Sequence, residues 1–299
     1  MADSPRYIVA VGMFDGLHRG HAFVLRELCR EAAARGLRPK VLTFSDHPIA
    51  TLAPERAPRL IMPAECKAAL ITSAFGISDV VLMDFSPRFA SMTGREFLEK
   101  LRHDHRADCI AMGFNNHIGS DRLDARAASD LGIIDVVPLP ALPEGECLCS
   151  SAVREAIAEA DFDAASRILG HHFDLCGTVV EGNKLGRTIG YPTANISPSC
   201  GSRQLLPPDG VYAAEAFTAP DKEKHRAIVN IGVRPTVDKS GQNRTIEAHI
   251  LDFDADLYGT ELRLEFITRL RDEKRFESLD ELRLQLDSDA ESARRVQEG

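Results

Sequence analysis

The sequence predicts an α/β protein in which a mostly parallel sheet is followed by a small antiparallel β-barrel and a C-terminal helix. In the first half, short β-like runs alternate with helical stretches, which is typical of a parallel sheet covered on both faces. After residue 170, short β-runs separated by Gly, Pro and Asn are typical of a small barrel. The length of 299 residues suggests two domains. We expect them to span residues 1–170 and 171–299.

The elements of the first half begin with a buried strand over Tyr7–Val11 and a helix over Ala22–Arg35 that ends at Gly36. Further strands are predicted over Lys40–Phe44, Val80–Met83, Cys109–Met112 and Ile133–Val137. Further helices are predicted over Lys67–Phe75, Gly94–Arg102 and Ser151–Leu169.

The second half is predicted to consist mainly of short β-strands followed by one helix. Strands are predicted over Gly177–Val180, Gly210–Phe217, Ala227–Ile231, Thr245–Leu251 and Glu261–Leu270. Ser278–Glu281 has the pattern of a capping box and opens a C-terminal helix. An apolar stripe on this helix is formed by Leu279, Leu282, Leu286 and Ala290.

Composition and charge narrow the classes of function. The formal net charge of −9 argues against a nucleic-acid binder, because such proteins carry a basic face or stripe. No apolar run approaches the roughly 20 residues of a membrane-spanning helix, and the N-terminus lacks the layout of a secretory signal. The seven cysteines show no paired CxxC spacing. We therefore expect a cytoplasmic protein with small-molecule partners, no nucleic acid and no membrane. The sequence does not decide the oligomeric state.

The segment Gly12–His21 directly follows the first predicted strand and opens a helix. Ligands of open α/β sheets bind at the carboxyl ends of the strands, and a helix N-terminus offers N–H groups and a positive dipole to phosphate. His18 and His21 lie three residues apart and can both point at such a phosphate. They form a poor metal pair, because no third ligand with suitable spacing is evident. On these residues alone, a chance or surface His-x-x-His is the alternative.

The whole segment, Gly12-Met-Phe-Asp-Gly-Leu-His-Arg-Gly-His21, resembles the HxGH signature of the nucleotidylyltransferase superfamily. In its wider form it resembles the FMN adenylyltransferase domain of bacterial bifunctional flavin enzymes. Thr43–Pro48, Phe85–Ala90 and Cys149–Arg154 resemble further motifs of that family. The resemblance implies a Rossmann-like domain that converts FMN to FAD. It assigns ATP binding to Gly12, Phe14, Asp15, His18, His21, Asn115, Ser150, Ser151 and Arg154.

The implied reaction uses no covalent intermediate, since the FMN phosphate attacks the α-phosphorus of ATP and pyrophosphate leaves. His18 and His21 would donate hydrogen bonds to the α-phosphate, and Mg²⁺ would neutralise the leaving group. Hydroxyls and an arginine fork at a helix start, as at Ser150, Ser151 and Arg154, suit a triphosphate. An ordinary serine N-cap is the alternative for that segment.

Three residues depart from the adenylyltransferase pattern. Asn116 and Ile118 stand where the family has aromatic residues, and Cys149 replaces a hydroxyl residue. These departures keep open an alternative, a monofunctional riboflavin kinase with a weakened or non-catalytic nucleotide-binding N-terminal domain.

The second half contains a glycine-rich stretch that ends in Pro192-Thr-Ala-Asn195. It is neither a Walker A loop nor a GxGxxG fingerprint, and glycines between β-runs commonly mark only hairpins and bulges. Thr193 and Asn195, however, lie two residues apart. On a strand their side chains share one face, and both carry oxygens that Mg²⁺ accepts.

The stretch from Gly177 to Asn195 closely resembles the riboflavin kinase signature, and later motifs of that family follow in the same order. They are Leu206–Tyr212, Asn230–Thr236, Glu247–Gly259 and Leu270–Phe276. The resemblance implies a six-stranded barrel that phosphorylates riboflavin with ATP. It assigns ATP binding to Gly177, Gly182, Gly186, Gly190, Thr193 and Asn195, with Thr193 and Asn195 on the metal. It assigns flavin binding to Arg234, Arg271 and Glu273.

The resemblance also implies that Glu247 is the general base that deprotonates the ribityl 5′-hydroxyl. Without the other motifs of the family, Glu247 would be interpreted as a solvent-facing carboxylate on a strand. The leading hypothesis is a bifunctional enzyme that makes FMN from riboflavin and FAD from FMN, with ATP and Mg²⁺ in both steps. A flavin-binding or regulatory protein without catalysis is the alternative from another class.

Overall fold

The computed structural model describes residues 5–113, 116–141, 148–182, 186, 189–218, 223–233 and 244–296. The chain divides into two compact units, residues 1–148 and 149–299. In the described part of the chain, no helix has the length and apolar character needed to cross a bilayer. The six cysteines that the structure describes are free thiols.

The first unit is built on a five-stranded sheet whose pairings are all parallel, as predicted. The strands lie in the order β3-β2-β1-β4-β5. Their bounds are β1 Tyr7–Val11, β2 Arg38–Phe44, β3 Asp79–Met83, β4 Ala107–Met112 and β5 Asp135–Pro138. Because side chains alternate along a strand, Ile8 packs with Leu25 and Leu28 on one face, while Val9 packs with Phe97 on the other.

Among the residues of this unit that the structure describes, six α-helices lie between and around the strands: α1 Arg19–Arg35, α2 Pro48–Leu52, α3 Ala64–Phe75, α4 Pro87–Ala90, α5 Gly94–Asp104 and α6 Ala125–Asp130. The predicted end of α1 is confirmed, since Gly36 caps it in the left-handed region at φ 66°. The helix begins three residues earlier than predicted, because His18 serves as its N-cap.

The second unit opens with two helices, α7 Ser150–Ala158 and α8 Phe162–Leu169. The prediction of one continuous helix over Ser151–Leu169 is therefore wrong. The chain breaks at Ala160, which has a φ of 56°, and Asp161 caps α8 through a bond from the Ala164 amide. The ring of Phe162 then stacks on Phe266 of the barrel at 5.5 Å.

The barrel is closed and six-stranded, in the order β10-β7-β6-β11-β8-β9, with antiparallel pairings. Its strands are β6 Asp174–Val180, β7 Ala194–Pro198, β8 Gly210–Thr218, β9 Lys224–Val233, β10 Arg244–Ile250 and β11 Glu261–Arg271. This confirms the fold class that the sequence and the family resemblance predicted together. The run Ala194–Pro198 was not among the predicted strands, since its Asn, Ser and Pro hide the apolar pattern of a strand.

The C-terminal helix α9, Leu279–Arg295, packs on the outer face of the barrel through Ala290 and Ala293. The Ser278 cap is confirmed, because its hydroxyl accepts a bond of 3.2 Å from the Glu281 amide. The Glu281 carboxylate accepts from the Glu277 amide rather than from Ser278. Leu279 is 51% exposed and leaves the predicted apolar stripe.

Candidate active sites

His18 and His21 form a stacked pair at the start of α1, with ring centroids 3.6 Å apart. His18 Nδ1 accepts a bond of 3.3 Å from the His21 backbone amide. A neutral imidazole that accepts at Nδ1 carries its proton on Nε2. His21 Nδ1 is buried and has no hydrogen-bond partner among the described residues. The pair therefore offers neutral N–H donors beside a helix N-terminus.

Burial governs the charge of this pair. It lowers the pKa of His18 to about 4. The pKa of His21 is also lowered well below its usual value, first by burial and then by the charges of His18 and Lys67. Both imidazoles are thus neutral at pH 7, because burial disfavours the charged form.

The turn that leads into the pair is held in an unusual conformation. Phe14 has a φ of 48°, and its ring meets the His21 ring edge-on at 5.3 Å. The buried Asp15 carboxylate accepts bonds of 3.0 and 3.2 Å from the amides of Ile61 and Met62. Asp15, predicted to bind ATP, therefore holds the loop. A Cβ at Gly20 would lie 3.0 Å from the His18 ring, so a larger residue at this position would push against that ring.

A cavity of about 350 Å³ lies at the carboxyl ends of β1 and β4, where the strand order reverses. Gly12 lines it together with Asn116 and Ile118, the two residues that depart from the family pattern. The rest of the wall is largely aromatic and includes Phe44, Phe85, Phe89 and Phe97. Such a cavity can take a planar apolar ring.

Four further residues were predicted for the adenylyltransferase site. Ser150, Ser151 and Arg154 lie in the first turns of α7, which belongs to the second unit. Asn115 lies outside the described residues. Lys67, a buried lysine of α3 whose charge acts on His21, was not predicted. The sequence carries no signal for it, because a lysine on a helix is ordinarily solvated.

Glu247 lies in a row of polar residues that crosses three strands of the barrel. In the strand register it is opposite Asn195 of β7 on one side and Asn230 of β9 on the other. Its chain neighbours Ile246 and Ala248 are buried. Because side chains alternate, the row therefore lies on the outer face of the barrel, where α9 also packs.

A cavity of about 300 Å³ lies over this row. It brings together five predicted residues, Gly186, Thr193, Glu247, Arg271 and Glu273. Its apolar walls include Val211, Ile228, Phe276, Leu282 and Leu286. The arrangement offers a surface for a flat apolar ring and a carboxylate at its polar side. Thr193 also lines a second hollow of about 570 Å³, together with Pro192, Asp254, Asp256 and Tyr258.

The predicted glycines lie around Thr193 and Asn195. Gly177 is part of β6, and the Gly186 carbonyl accepts a bond of 2.8 Å from the amide of Tyr191, the residue after Gly190. Gly182 lies directly against the Asn195 amide group, where a Cβ would clash. The glycine at 182 thus leaves room for the Asn195 side chain.

Two of the predicted flavin-binding residues have protein partners. The Arg271 guanidinium forms a bidentate pair with Asp289, which is 3% exposed. The Glu273 carboxylate lies against Gly232 and accepts a bond of 3.3 Å from the Asn230 amide. Arg234 lies outside the described residues. Asp289 was not predicted, since nothing in its local sequence distinguishes it from the other acids of α9.

Comparisons with known proteins match both halves of the chain. A family model described as FAD synthetase matches residues 1–131, and one described as riboflavin kinase matches residues 169–297. A bifunctional riboflavin kinase/FMN adenylyltransferase of Escherichia coli strain K12 is 35% identical over 96% of this chain and 91% of its own length. The protein of the same description from Bacillus subtilis strain 168 is 30% identical over 97% and 92%.

One solved structure resembles the whole chain. It is described as a macrolide-efflux protein from Streptococcus pneumoniae, and it superimposes with a TM-score of 0.84 at 32% identity. The match covers 99% of this chain and 96% of the other.

Proposed function

This chain belongs to the family of bifunctional riboflavin kinase/FMN adenylyltransferases, and from that premise we propose that it phosphorylates riboflavin to FMN and adenylylates FMN to FAD. The observation that carries the proposal is the presence of a distinct site in each half, the neutral histidine pair and the Glu247 cavity. Matches over both halves favour this reading over a kinase with an inactive N-terminal domain.

For the kinase step, Glu247 is the proposed general base. Riboflavin would place its ring against the apolar wall of the cavity and its ribityl 5′-hydroxyl at the carboxylate. ATP would occupy the neighbouring hollow, since Thr193 lines both spaces. The alcohol oxygen then attacks the γ-phosphorus, the bond from that phosphorus to the bridging oxygen breaks, ADP leaves, and the alcohol proton passes to Glu247. Glu273 and Arg271 would complete the flavin side, with Arg271 acting from its pair with Asp289.

For the adenylyltransferase step, His18 and His21 are the proposed donors to the α-phosphate of ATP. Donors that are fixed before the reaction stabilise charge as it develops. The neutral state suits this role, because an uncharged imidazole can donate from one ring nitrogen. The aromatic cavity beside Gly12 would hold a planar ring of a substrate. The proposal also retains Ser150, Ser151 and Arg154 as ligands of the triphosphate.

Thr193 and Asn195 are the proposed protein ligands of Mg²⁺ in the kinase. Their hydroxyl and amide oxygens are of the hard type that this ion prefers. Among the described residues, no group of three or more His, Cys, Asp or Glu side chains could hold a metal. The ion would therefore depend on Thr193, Asn195 and the phosphates of ATP. When bound, it would neutralise charge on the transferring phosphoryl group.

Both activities can be tested on the purified full-length chain by incubation with riboflavin, ATP and Mg²⁺ and chromatography of the products. We expect FMN and then FAD. Glu247→Gln should abolish FMN formation but still convert supplied FMN to FAD. The exposed Glu261→Gln in the same barrel is the matched control and should retain both.

The converse variant is His21→Ala, which should stop FAD formation and leave FMN formation intact. His103→Ala, an exposed histidine of the same unit, is its control. A wild-type chain that forms no FMN would refute the kinase assignment. A chain that forms FMN but no FAD would refute the adenylyltransferase assignment.

The remaining features of the proposal concern compartment and partners. We propose a cytoplasmic enzyme, consistent with six free thiols among the described residues. Its proposed partners are small molecules, riboflavin, FMN and ATP.

A further inference from the structure

Lys67 is a charged side chain of the first unit that neither proposed reaction uses. It lies in α3 and is 1% exposed. Its Nζ donates hydrogen bonds to the backbone carbonyl of Met13 at 2.8 Å and to that of Phe44 at 3.0 Å. A buried ammonium costs free energy unless it is paired or hydrogen-bonded, and the buried face of a helix usually carries apolar residues. A lysine at this position is therefore unusual.

Met13 follows the end of β1 by two residues, and Phe44 is the last residue of β2. Met13 receives a second bond, since the buried Thr43 hydroxyl donates to the same carbonyl at 2.9 Å. On the other side of Phe14, the Asp15 carboxylate is held by the Ile61 amide, six residues before Lys67. Both neighbours of Phe14 are therefore fastened to one segment, residues 61–67.

Phe14 transmits this restraint to the histidines. A non-glycine residue at a φ of 48° persists only where its surroundings enforce the conformation. Its ring then packs edge-on against His21, which stacks on His18. A continuous series of contacts therefore connects Lys67 to the histidine pair through Met13 and Phe14.

We propose that Lys67 is a positioning residue for adenylyl transfer, and that its ammonium fixes the Phe14 turn and thereby the orientation of His18 and His21. The proposal rests on the proposed function of the histidine pair. Lys67 itself is enclosed by protein and acts through the pair, not on the substrate.

The charge of Lys67 has a second consequence. His21 is faced by His18 from its own segment and by Lys67 from α3, and both lower its pKa in addition to burial. Removal of the ammonium therefore raises the pKa of His21. A residue that only filled space would not change this titration.

The test compares Lys67→Met with wild type in the full-length chain. We expect FAD formation from supplied FMN to fall about 10- to 100-fold, because small displacements of positioned groups carry losses of that order. FMN formation from riboflavin is the internal control and should stay unchanged. Lys100→Met, a partly exposed lysine of the same unit, is the matched variant and should retain both activities. An FAD rate within about twofold of wild type would overturn the proposal.

A milder variant covers the case in which Lys67→Met does not fold. Thr43→Val removes only the hydroxyl bond to the Met13 carbonyl, and a smaller loss of FAD formation is expected, about 3- to 10-fold. An unchanged rate in Thr43→Val would then overturn the proposal.

A measurement that needs no catalytic turnover distinguishes the positioning role of Lys67 from the proposed enzymatic function. Titration of the His21 imidazole by NMR should give a higher pKa in Lys67→Met than in wild type. If the wild-type chain formed no FAD, the proposed function would fail, yet a raised pKa would still support the link from Lys67 to the pair. An unchanged titration would overturn that link.

Discussion

The Arg271 guanidinium, at the end of β11, forms a bidentate ion pair with the Asp289 carboxylate of α9. Nε lies 3.0 Å from both carboxylate oxygens, and Nη2 lies 2.7 Å from one of them. The Gln285 amide donates a further bond of 2.9 Å to Asp289. The pair joins the barrel to the helix that forms one wall of the kinase cavity.

Replacement of Asp289 by Ala should destabilise the second unit and weaken the kinase. Removal of one partner from a buried pair leaves the other charge uncompensated, which costs about 3–5 kcal/mol. We expect a loss of this order in urea unfolding, together with a higher KM for riboflavin. Glu291→Ala, which removes an exposed i,i+4 pair with Arg295, is the control and should cost only about 0.5 kcal/mol. Equal losses in the two variants would contradict the role of the buried pair.

The Arg271–Asp289 pair also shows what the sequence could not predict. The sequence predicted elements that have a clear pattern of apolar residues or a strong capping residue, such as β1 and the Gly36 cap, because those signals are local. Asp289 and Lys67 have their roles only through partners that are distant in sequence. The short β7 was missed because Asn195, Ser197 and Pro198 hide the apolar pattern of a strand, and its partners in the barrel make it one.

The residues of the candidate sites also fall into those that the sequence could predict and those that it could not. Glu247 and Thr193 were assigned through resemblance to a family, and the fold brings them to one cavity. The protein partners of Asp15 and Arg271 could not be foreseen, since a carboxylate or guanidinium in a motif can bind either a ligand or the protein.

Gly182→Ala should impair the kinase selectively. A methyl group at this position would meet the Asn195 side chain, which must then leave its place beside Thr193. Because Asn195 is a proposed Mg²⁺ ligand, we expect FMN formation to fall about 10- to 100-fold and the Mg²⁺ concentration for half-maximal rate to rise. Conversion of supplied FMN to FAD in the same preparation is the control. A normal Mg²⁺ dependence would argue against Asn195 as a ligand.

The stability of the first unit should fall in acid because of its histidines. The pKa of His18 is about 4 in the folded chain, against 6.5 for an ordinary histidine. Between these values the unfolded chain binds a proton that folded His18 does not, so the free energy of unfolding rises with pH. The difference corresponds to about 3 kcal/mol lost between pH 7 and pH 4, and His21 acts in the same direction.

Urea unfolding across that window measures the effect. His18→Asn should flatten the dependence on pH, whereas His103→Asn at an exposed site should preserve it. A free energy of unfolding that stays constant between pH 6.5 and pH 4 would contradict the buried, neutral His18.

Phe162→Ala should destabilise the barrel, although Phe162 lies in a helix before the first strand. Its ring stacks on Phe266 at 5.5 Å and meets Tyr212 edge-on at 5.7 Å, and all three side chains are buried. Loss of a buried phenylalanine costs about 3–5 kcal/mol. We expect FMN formation to be lost at lower temperature than in wild type, measured by residual activity after heating. Phe217→Ala, a partly buried ring in the same unit, is the control and should shift this temperature less. An unchanged temperature for Phe162→Ala would mean that α8 does not stabilise the barrel.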